Sequence, residues 1–600
     1  MNLRTPNSKL RTPNFLTGFL SLLLVVSWEL GVGSMPSFAQ SPQELEINLD
    51  INSGTTPLPK IFKPGIDLSG RGLHRDFIWP QELAAPEVLG LWQKDIGFSG
   101  VYRMQYNLWD INQLSKNRIL QNKLLANYEK VIKEISDSGG TVILDIFGTP
   151  AGLGRILDKR SPPWDLKAFK AVAKDTMRSL SCQNKYNIWY EVWNAPDLDD
   201  FFLGRKQEYL TLYRAIAEAA KELGQETGVH IPVGGPSVSW WFQNVDGNNV
   251  LTPERSLIYD LIKFCYQYHL PLDFISWHGY STSPEAEKEY TIYKNNAADL
   301  IRKWLTYFRL DPATPLVVDE WNYDRGANLL TERDEKANIA ASYIISRIKN
   351  MSEAGLDYQA YFCLEDFKNN REGVVRNVGV FSFDAESSVY KGQPKCIYNV
   401  FKMLNNLGGQ IYALKLNDSF IGAIATKGEG KIVLLVYNYI DPDIASNYLS
   451  ARISTLNPGA RKMLLGVLSS DKLEKIMTGQ LDMASLRTDH KAEGLLKNAQ
   501  ELFALAKKFS SEPRAVKVKI ENLKDNYTYQ RYALDSSCVA NCDFSPKEEK
   551  EILATDSFQE ALSLEPYSAE MIVLQNKPKE PEKPLVPETA TNTTGNVTAR

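Results

Sequence analysis

The sequence predicts an α/β chain: a (β/α)8 barrel followed by a β-sandwich accessory domain that carries a helical insertion. Two patterns and one bound support this. Between residues 61 and 405, short apolar runs alternate with amphipathic helical stretches through eight repeats. Beyond residue 406 the runs become short and strand-like, with turn signals between them. At 600 residues the chain is also too long for one hydrophobic core.

Residues 1–39 read as a signal segment. Arg4, Lys9 and Arg11 supply charge, residues 15–26 are mostly apolar, and Ser37-Phe38-Ala39 offers small residues for cleavage. The apolar run is short for a membrane span and Glu29 closes it, so an uncleaved anchor is the competing reading. An exported product follows: secreted, periplasmic or at the cell surface. Residues 40–60 read as a linker.

In the barrel, strands are expected at 65–68, 100–106, 141–147, 187–193, 230–234, 274–278, 316–320 and 359–364, with helices such as 120–136, 207–223 and 334–354 between them. An open doubly wound sheet is the alternative, disfavoured because no Gly-rich nucleotide loop follows the first strand. In the sandwich (406–576), strands are expected at 411–416, 420–426, 431–439, 515–520, 527–533 and 569–575. The turn Lys427-Gly428-Glu429-Gly430 closes a hairpin. Leu and Ile recur at helical spacing over 471–509, the insertion. Residues 577–600 are rich in Pro, Lys, Glu and Thr and read as a disordered tail.

With 68 basic and 72 acidic residues spread along the chain, no Lys/Arg cluster points to nucleic acid or an anionic membrane. Only five His are present and none has ligand spacing with Cys, so no metal and no cofactor is expected. Cys182, Cys265, Cys363 and Cys396 read as buried thiols; Cys538 and Cys542, in a loop, suit a local disulfide in an exported chain.

In a (β/α)8 barrel, reactive groups sit where strands end. The fourth run ends Trp193-Asn194-Ala195-Pro196-Asp197, the sixth Trp277-His278-Gly279-Tyr280, the seventh Asp319-Glu320-Trp321-Asn322. Glu320 follows Pro315-Leu-Val-Val, so its carboxylate should emerge at the mouth, where it can attack an anomeric carbon. A structural Glu paired with an Arg is the competing reading.

The motifs Ile188-Trp-Tyr-Glu-Val-Trp-Asn, Val233-Gly-Gly-Pro, Asp273-Phe-Ile-Ser-Trp-His-Gly-Tyr and Val317-Val-Asp-Glu-Trp-Asn resemble glycoside hydrolase family 39. That family holds β-xylosidases and α-L-iduronidases, retaining enzymes on this barrel. Tyr209-Leu-Thr-Leu-Tyr-Arg, Pro394-Lys-Cys-Ile-Tyr-Asn and the closing run 562–574 extend the likeness from about residue 65 to 575. The resemblance implies a glycosidase acting on a polysaccharide or oligosaccharide, with Glu320 as nucleophile. Asn194 would hold the hydroxyl next to the anomeric centre, and His278 and Tyr280 would surround the nucleophile. Trp193, Trp321, Arg103 and Gln105 complete the expected sugar site.

Two positions depart from the pattern. Ala195 stands where the acid/base glutamate belongs, and Gln105 where a histidine is frequent. Asp197 is the candidate replacement acid; Glu191, Glu365 and Asp366 are weaker ones, and Asp145 faces the barrel for pairing with Arg103. Trp240-Trp241-Phe242 suits either a sugar platform or core packing. A carbohydrate-binding protein without turnover, built on the same cleft, is the alternative function.

Overall fold

A computed structural model describes residues 45–68, 86–242, 253–288, 296–323, 337–369, 374–376, 378–382, 392–486, 488–538 and 541–577. The expected signal segment and tail lie outside the described residues, apart from Lys577. Among the described residues no helix is long and apolar enough to cross a membrane.

The chain enters through β1 (Leu45–Asp50) and β2 (Thr55–Pro57), both of which join the sandwich. Residues 45–57 of the expected linker therefore belong to the sandwich. In Leu45-Glu-Ile-Asn-Leu-Asp, Ile47 and Leu49 alternate with polar residues, the period-2 signature of a half-buried strand, and both side chains are buried.

Eight parallel strands then close a barrel: β3 (Ile66–Asp67), β4 (Val101–Asn107), β5 (Thr141–Phe147), β6 (Ile188–Val192), β7 (Val233–Val238), β8 (Phe274–Tyr280), β9 (Leu316–Asn322) and β10 (Tyr358–Phe362). Val101, Ile143, Phe274, Val317 and Ala360 form one apolar layer inside it, flanked by Trp189 and Tyr358. Two residues further along the same strands stand Arg103, Asp145, Ser276, Asp319 and Glu191. Strand alternation thus stacks a polar layer on the apolar one. Outward-facing residues meet the amphipathic helices, as in Lys206–Thr227 with Tyr209, Leu212, Tyr213 and Ile216 buried.

Beyond the barrel come a small hairpin of β11 (Phe367–Asn369) and β12 (Val374–Arg376), then β13 (Gln410–Tyr412), β14 (Ile421–Gly428) and β15 (Lys431–Asn438). The expected hairpin at 427–430 joins β14 and β15. The remaining strands are β16 (Arg514–Leu523), β17 (Tyr527–Leu534), β18 (Glu548–Ile552), β19 (Thr555–Leu564) and β20 (Ala569–Asn576). A three-stranded sheet β1-β16-β19 faces a seven-stranded sheet β18-β17-β20-β15-β14-β13-β2, and Ile47, Val518, Leu434 and Ile572 share their common core. The run at 562–574, read as one strand, is two: β19 ends at Leu564 and β20 starts at Ala569 in the opposite sheet.

The helical insertion is longer than expected. Helices fill most of residues 444–509, from Ile444–Arg452 to His490–Phe509, around a core of Leu449, Leu464, Ile476 and Leu496. Cys538 and Cys542 form a disulfide, and the buried Cys396 places its sulfur within 4.8 Å of both.

Candidate active site

Arg103, in the middle of β4, is the centre of the polar layer and only 1% exposed. Its Nε lies 2.7 Å from Glu191 and 3.3 Å from Asp319, its Nη1 2.8 Å from Asp67 and 3.2 Å from Glu320, and its Nη2 3.7 Å from Asp145. Nη2 also donates to Asn194 Oδ1 at 2.6 Å and to Ser237 Oγ at 3.0 Å. The expected Asp145–Arg103 pair is present, but as the longest of five ion pairs.

One guanidinium cannot neutralise five carboxylates in a buried layer, and protonation resolves the imbalance. Burial, joined by the charge of Glu191, pushes Asp145 and Asp319 well above the ordinary carboxylate range. Burial opposes ionisation of Glu191 too, but Arg103 and hydrogen bonds from Asp319 and Ser276 outweigh it and hold the group low. Ser276 Oγ donates to Glu191 Oε1 at 2.6 Å. Glu191 is thus the ionised partner of Arg103, at the deep position where strand alternation put it.

Glu320 stands at the rim of this layer, its side chain 10% exposed. Asp319 and Glu320 are neighbours in sequence, yet both reach Arg103, which strict alternation along a strand forbids. The register of β9 shifts against both neighbours: Trp277 pairs with Val318 but His278 with Glu320, and Gln359 pairs with Val318 but Tyr361 with Trp321. A bulge at this point of β9 turns both carboxylates toward one cation.

Tyr280 donates its hydroxyl to Glu320 Oε1 at 2.6 Å, and His278 Nε2 stands 3.5 Å from Oε2. Ser237 Oγ lies 3.1 Å from the same His nitrogen and donates to Asp319 at 2.6 Å. Burial raises the Glu320 carboxyl above its ordinary value; Glu191 adds to the rise, and Arg103 and Tyr280 oppose it.

The adjoining wall is built from strained backbone. Trp193, Ala195 and Ser237 have φ of 70°, 40° and 53°, the left-handed region that non-glycine residues rarely occupy. The Ala195 N–H donates to Ser237 O at 2.9 Å, tying the two strained turns together. Ala195 is fully buried and offers no titratable group.

The structure brings Glu320, Arg103, Asn194, His278 and Tyr280 into one cluster. Gln105, 6% exposed, lies beside Asp145, its register partner across β4 and β5. Trp193 and Trp321, expected in the sugar site, are instead fully buried in the wall. Trp193 donates to Phe201 O and packs on Phe147 and Phe202; Trp321 donates to Gln359 Oε1 and packs on Tyr343 and Tyr361. For Trp321 the reason is the bulge, which turns Glu320 inward and its neighbour outward. Trp241 is likewise fully buried, and Trp240 and Phe242 pack edge-on with each other.

Asp197 is engaged by the loop after β7. Its Oδ1 accepts from Ser239 N at 2.9 Å and its Oδ2 from Ser239 Oγ, so it ties the loop after β6 to that after β7. Asp366 is held by Lys395 Nζ at 2.6 Å and by Gly379 N at 2.7 Å. Asp67, Ser237 and Ser276 were missed from the sequence. A two-residue strand and two lone serines carry no signal until Arg103 is seen to need partners.

Comparison with known proteins fits this geometry. Residues 164–451 match glycosyl hydrolases family 39. The β-xylosidase of Caldicellulosiruptor saccharolyticus is 28% identical over 298 residues, 47% of this chain and 55% of that protein. The β-xylosidase of Geobacillus stearothermophilus is 27% identical over 297 residues, 45% of this chain and 54% of that protein. The chain thus spans about half the length of the curated relatives it matches. The family 39 region takes in β8, β9 and β10, hence His278, Tyr280 and Glu320, and starts after Arg103.

Solved structures share the fold over more of the chain. A GH39 enzyme from Xanthomonas axonopodis pv. citri superposes with a TM-score of 0.57 at 14% identity, over 91% of this chain and 100% of that one. A monomeric β-xylosidase from Caulobacter crescentus gives 0.56 at 15%, over 89% and 99%. At such identities the likeness is one of architecture.

Proposed function

We propose that this chain is an exported glycoside hydrolase-type protein acting on carbohydrate, with Glu320 as the nucleophile of a retaining reaction and no acid/base at position 195. The observation that carries the reading is the Glu320 carboxylate itself. It sits near the C-terminal end of β9, the end where such barrels carry their chemistry, with Tyr280 on one oxygen and Arg103 on the other, a setting that suits a nucleophilic carboxylate. Attack on the anomeric carbon would form a glycosyl ester on Glu320, while Asn194 and His278 line the same rim. β-D-Xylosides are the first substrates to try, since the matched relatives are named for them.

Ala195 sets the consequence. Positioned proton transfer contributes about 10² to 10⁴ in rate, and a retaining enzyme uses the same group again to activate water. Ordinary glycosidic bonds should therefore turn over slowly. Aryl glycosides with good leaving groups escape the first penalty, and a small anion such as azide escapes the second.

A second reading, carbohydrate binding without turnover, has its own support: Asp197 and Asp366 are both engaged in other bonds. One experiment separates the two, an aryl glycoside panel with and without azide, with Glu320→Gln as control. Azide-dependent turnover that disappears in the control supports the nucleophile. Measurable oligosaccharide binding with no turnover in any condition favours the binding protein.

A further inference from the structure

The helical insertion has no part in the chemistry above, yet it reaches the strand that carries Tyr280. The segment leaving β8 is gripped at three successive carbonyls by three different side chains. Tyr343 donates to Ser281 O at 2.6 Å, Tyr439 to Thr282 O at 2.6 Å, and Arg347 to Ser283 O. Tyr343 and Arg347 come from the barrel helix Ala337–Glu353; Tyr439 comes from the link between β15 and the insertion.

The side chain of Thr282 is held from the insertion as well. Its Oγ1 donates to Asp443 Oδ2 at 3.1 Å and accepts from Asn447 Nδ2 at 3.2 Å. Asn447 and the Asp443 N–H in turn bond the buried Asp441, at 2.7 and 2.9 Å. The Tyr323, Tyr343 and Tyr439 rings close the space behind, with centroids 5.0 to 6.4 Å apart. Thr282 is 7% exposed, so these bonds are made out of water, where a missing partner costs most.

We propose that the sandwich and its helical insertion position the nucleophile from outside the barrel: Tyr439, Asp443 and Asn447 fix Thr282, Thr282 fixes the end of β8, and Tyr280 is thereby set on Glu320 Oε1. The route is short. Thr282 lies two residues beyond Tyr280, and β8 is bound to β9 at this level, where Tyr280 pairs with Asn322 and Ser281 N donates to Asn322 O. Thr282, Tyr439 and Asn447 are positioning residues that touch no reacting atom. The groups facing the Glu320 carboxylate stay Arg103, His278, Tyr280 and Glu191; the brace acts only on the third. The insertion, unexplained by the barrel, thereby acquires a task.

The inference rests on Glu320 being the nucleophile, so its test has one readout that needs no turnover. Three full-length variants are compared with the parent: Thr282→Val, Tyr439→Phe and the conservative Thr282→Ser. Tyr439→Phe keeps the ring packing and removes one hydroxyl, so it tests the brace even if Thr282→Val folds poorly. In azide-assisted turnover, kcat should fall roughly three- to tenfold in Thr282→Val and Tyr439→Phe with KM within about twofold, the scale of one weakened hydrogen bond to a charged group. The acid limb should move up by about half a pH unit, because a loosened Tyr280 no longer favours the charged carboxylate. Thr282→Ser should restore both.

The independent readout is the ¹³C-carboxyl titration of Glu320, assigned by its absence in Glu320→Gln. The same upward move is expected there. An unchanged Glu320 titration in Tyr439→Phe and in folded Thr282→Val overturns the brace, whatever the activity. A shifted titration in a protein with no azide-dependent turnover upholds the brace and sinks the catalytic reading instead.

Discussion

Arg103 Nη1 and Glu320 Oε2 lie 3.2 Å apart, and that contact is one of five carboxylate pairs on a single buried guanidinium. Glu320 is paired with an arginine inside the mouth, as the competing expectation had it, and it also stands at the rim with Tyr280 on its other oxygen. Arg103 both stabilises the barrel and sets the charge of the candidate nucleophile.

Replacing Arg103 by Met should leave Asp67, Glu191 and Glu320 without their cation. Breaking a buried pair from one side costs about 3–5 kcal/mol, and here several pairs break at once. The expected outcome is a large drop in melting temperature or insoluble protein, read by differential scanning calorimetry. Arg103→Lys should also destabilise, because one ammonium cannot reproduce a fork that meets Asp67, Glu191, Asn194 and Ser237 together.

Asp197 tests the replacement-acid idea directly. Its two oxygens accept from Ser239, so Asp197→Ala should cost stability of order 1–3 kcal/mol from the lost loop tie. Turnover of activated aryl glycosides with azide should stay within about threefold of the parent, well short of what losing a proton donor removes. A fall of a hundredfold or more for poor leaving groups alone would instead make Asp197 the acid.

How far the sequence carries is clear from particular residues. The strand at 141–147 has identical bounds in the structure because Thr-Val-Ile-Leu-Asp-Ile-Phe is a buried run with one inward acid. Glu320 at the rim followed from the apolar run before it. The inward turn of Glu320 and the outward turn of Trp321 did not, since both come from a bulge that only the neighbouring strands reveal. Residues 45–57 looked like a linker because their partners, β13 and β16, lie more than 350 residues away. The insertion began earlier than expected because Ile444–Arg452 lacks a clean apolar stripe, burying only Ala445 and Leu449.

Ala195→Glu should restore what the sequence omits. The side chain would leave from the end of β6, on the wall tied to Ser237. Hydrolysis of glycosides with poor leaving groups should rise by about 10² or more, and the azide dependence should disappear because water is again activated. Steady-state rates across a leaving-group series check this: the parent should show a steep dependence on leaving-group acidity, the variant a shallow one.

The pH profile follows from Glu320. Burial raises its carboxyl above the ordinary glutamate value, and the reacting form is the carboxylate. The azide-assisted rate should therefore climb with pH through an acid limb that lies above the ordinary Glu range. Tyr280→Phe removes a bond that favours the charged form, so its limb should lie higher still, with kcat down roughly tenfold. A limb in Tyr280→Phe at or below that of the parent would remove Tyr280 from this role.

Asp441 gives a stability prediction at the base of the insertion. Burial pushes its carboxyl up to about 6 from 3.8, against hydrogen bonds from Asn447 and the Asp443 N–H, with Asp443 adding a like charge. A carboxyl raised on folding binds its proton more tightly in the native state, so stability is fully present below the unfolded value. It is lost as pH rises through the folded one. Two units correspond to about 3 kcal/mol as an order of magnitude. Between pH 4 and about 6.5, the parent should lose stability relative to Asp441→Asn, whose neutral amide does not titrate. Parallel chemical denaturation of both proteins across that window measures the difference. A gap that stays constant with pH would mean that Asp441 is ionised throughout.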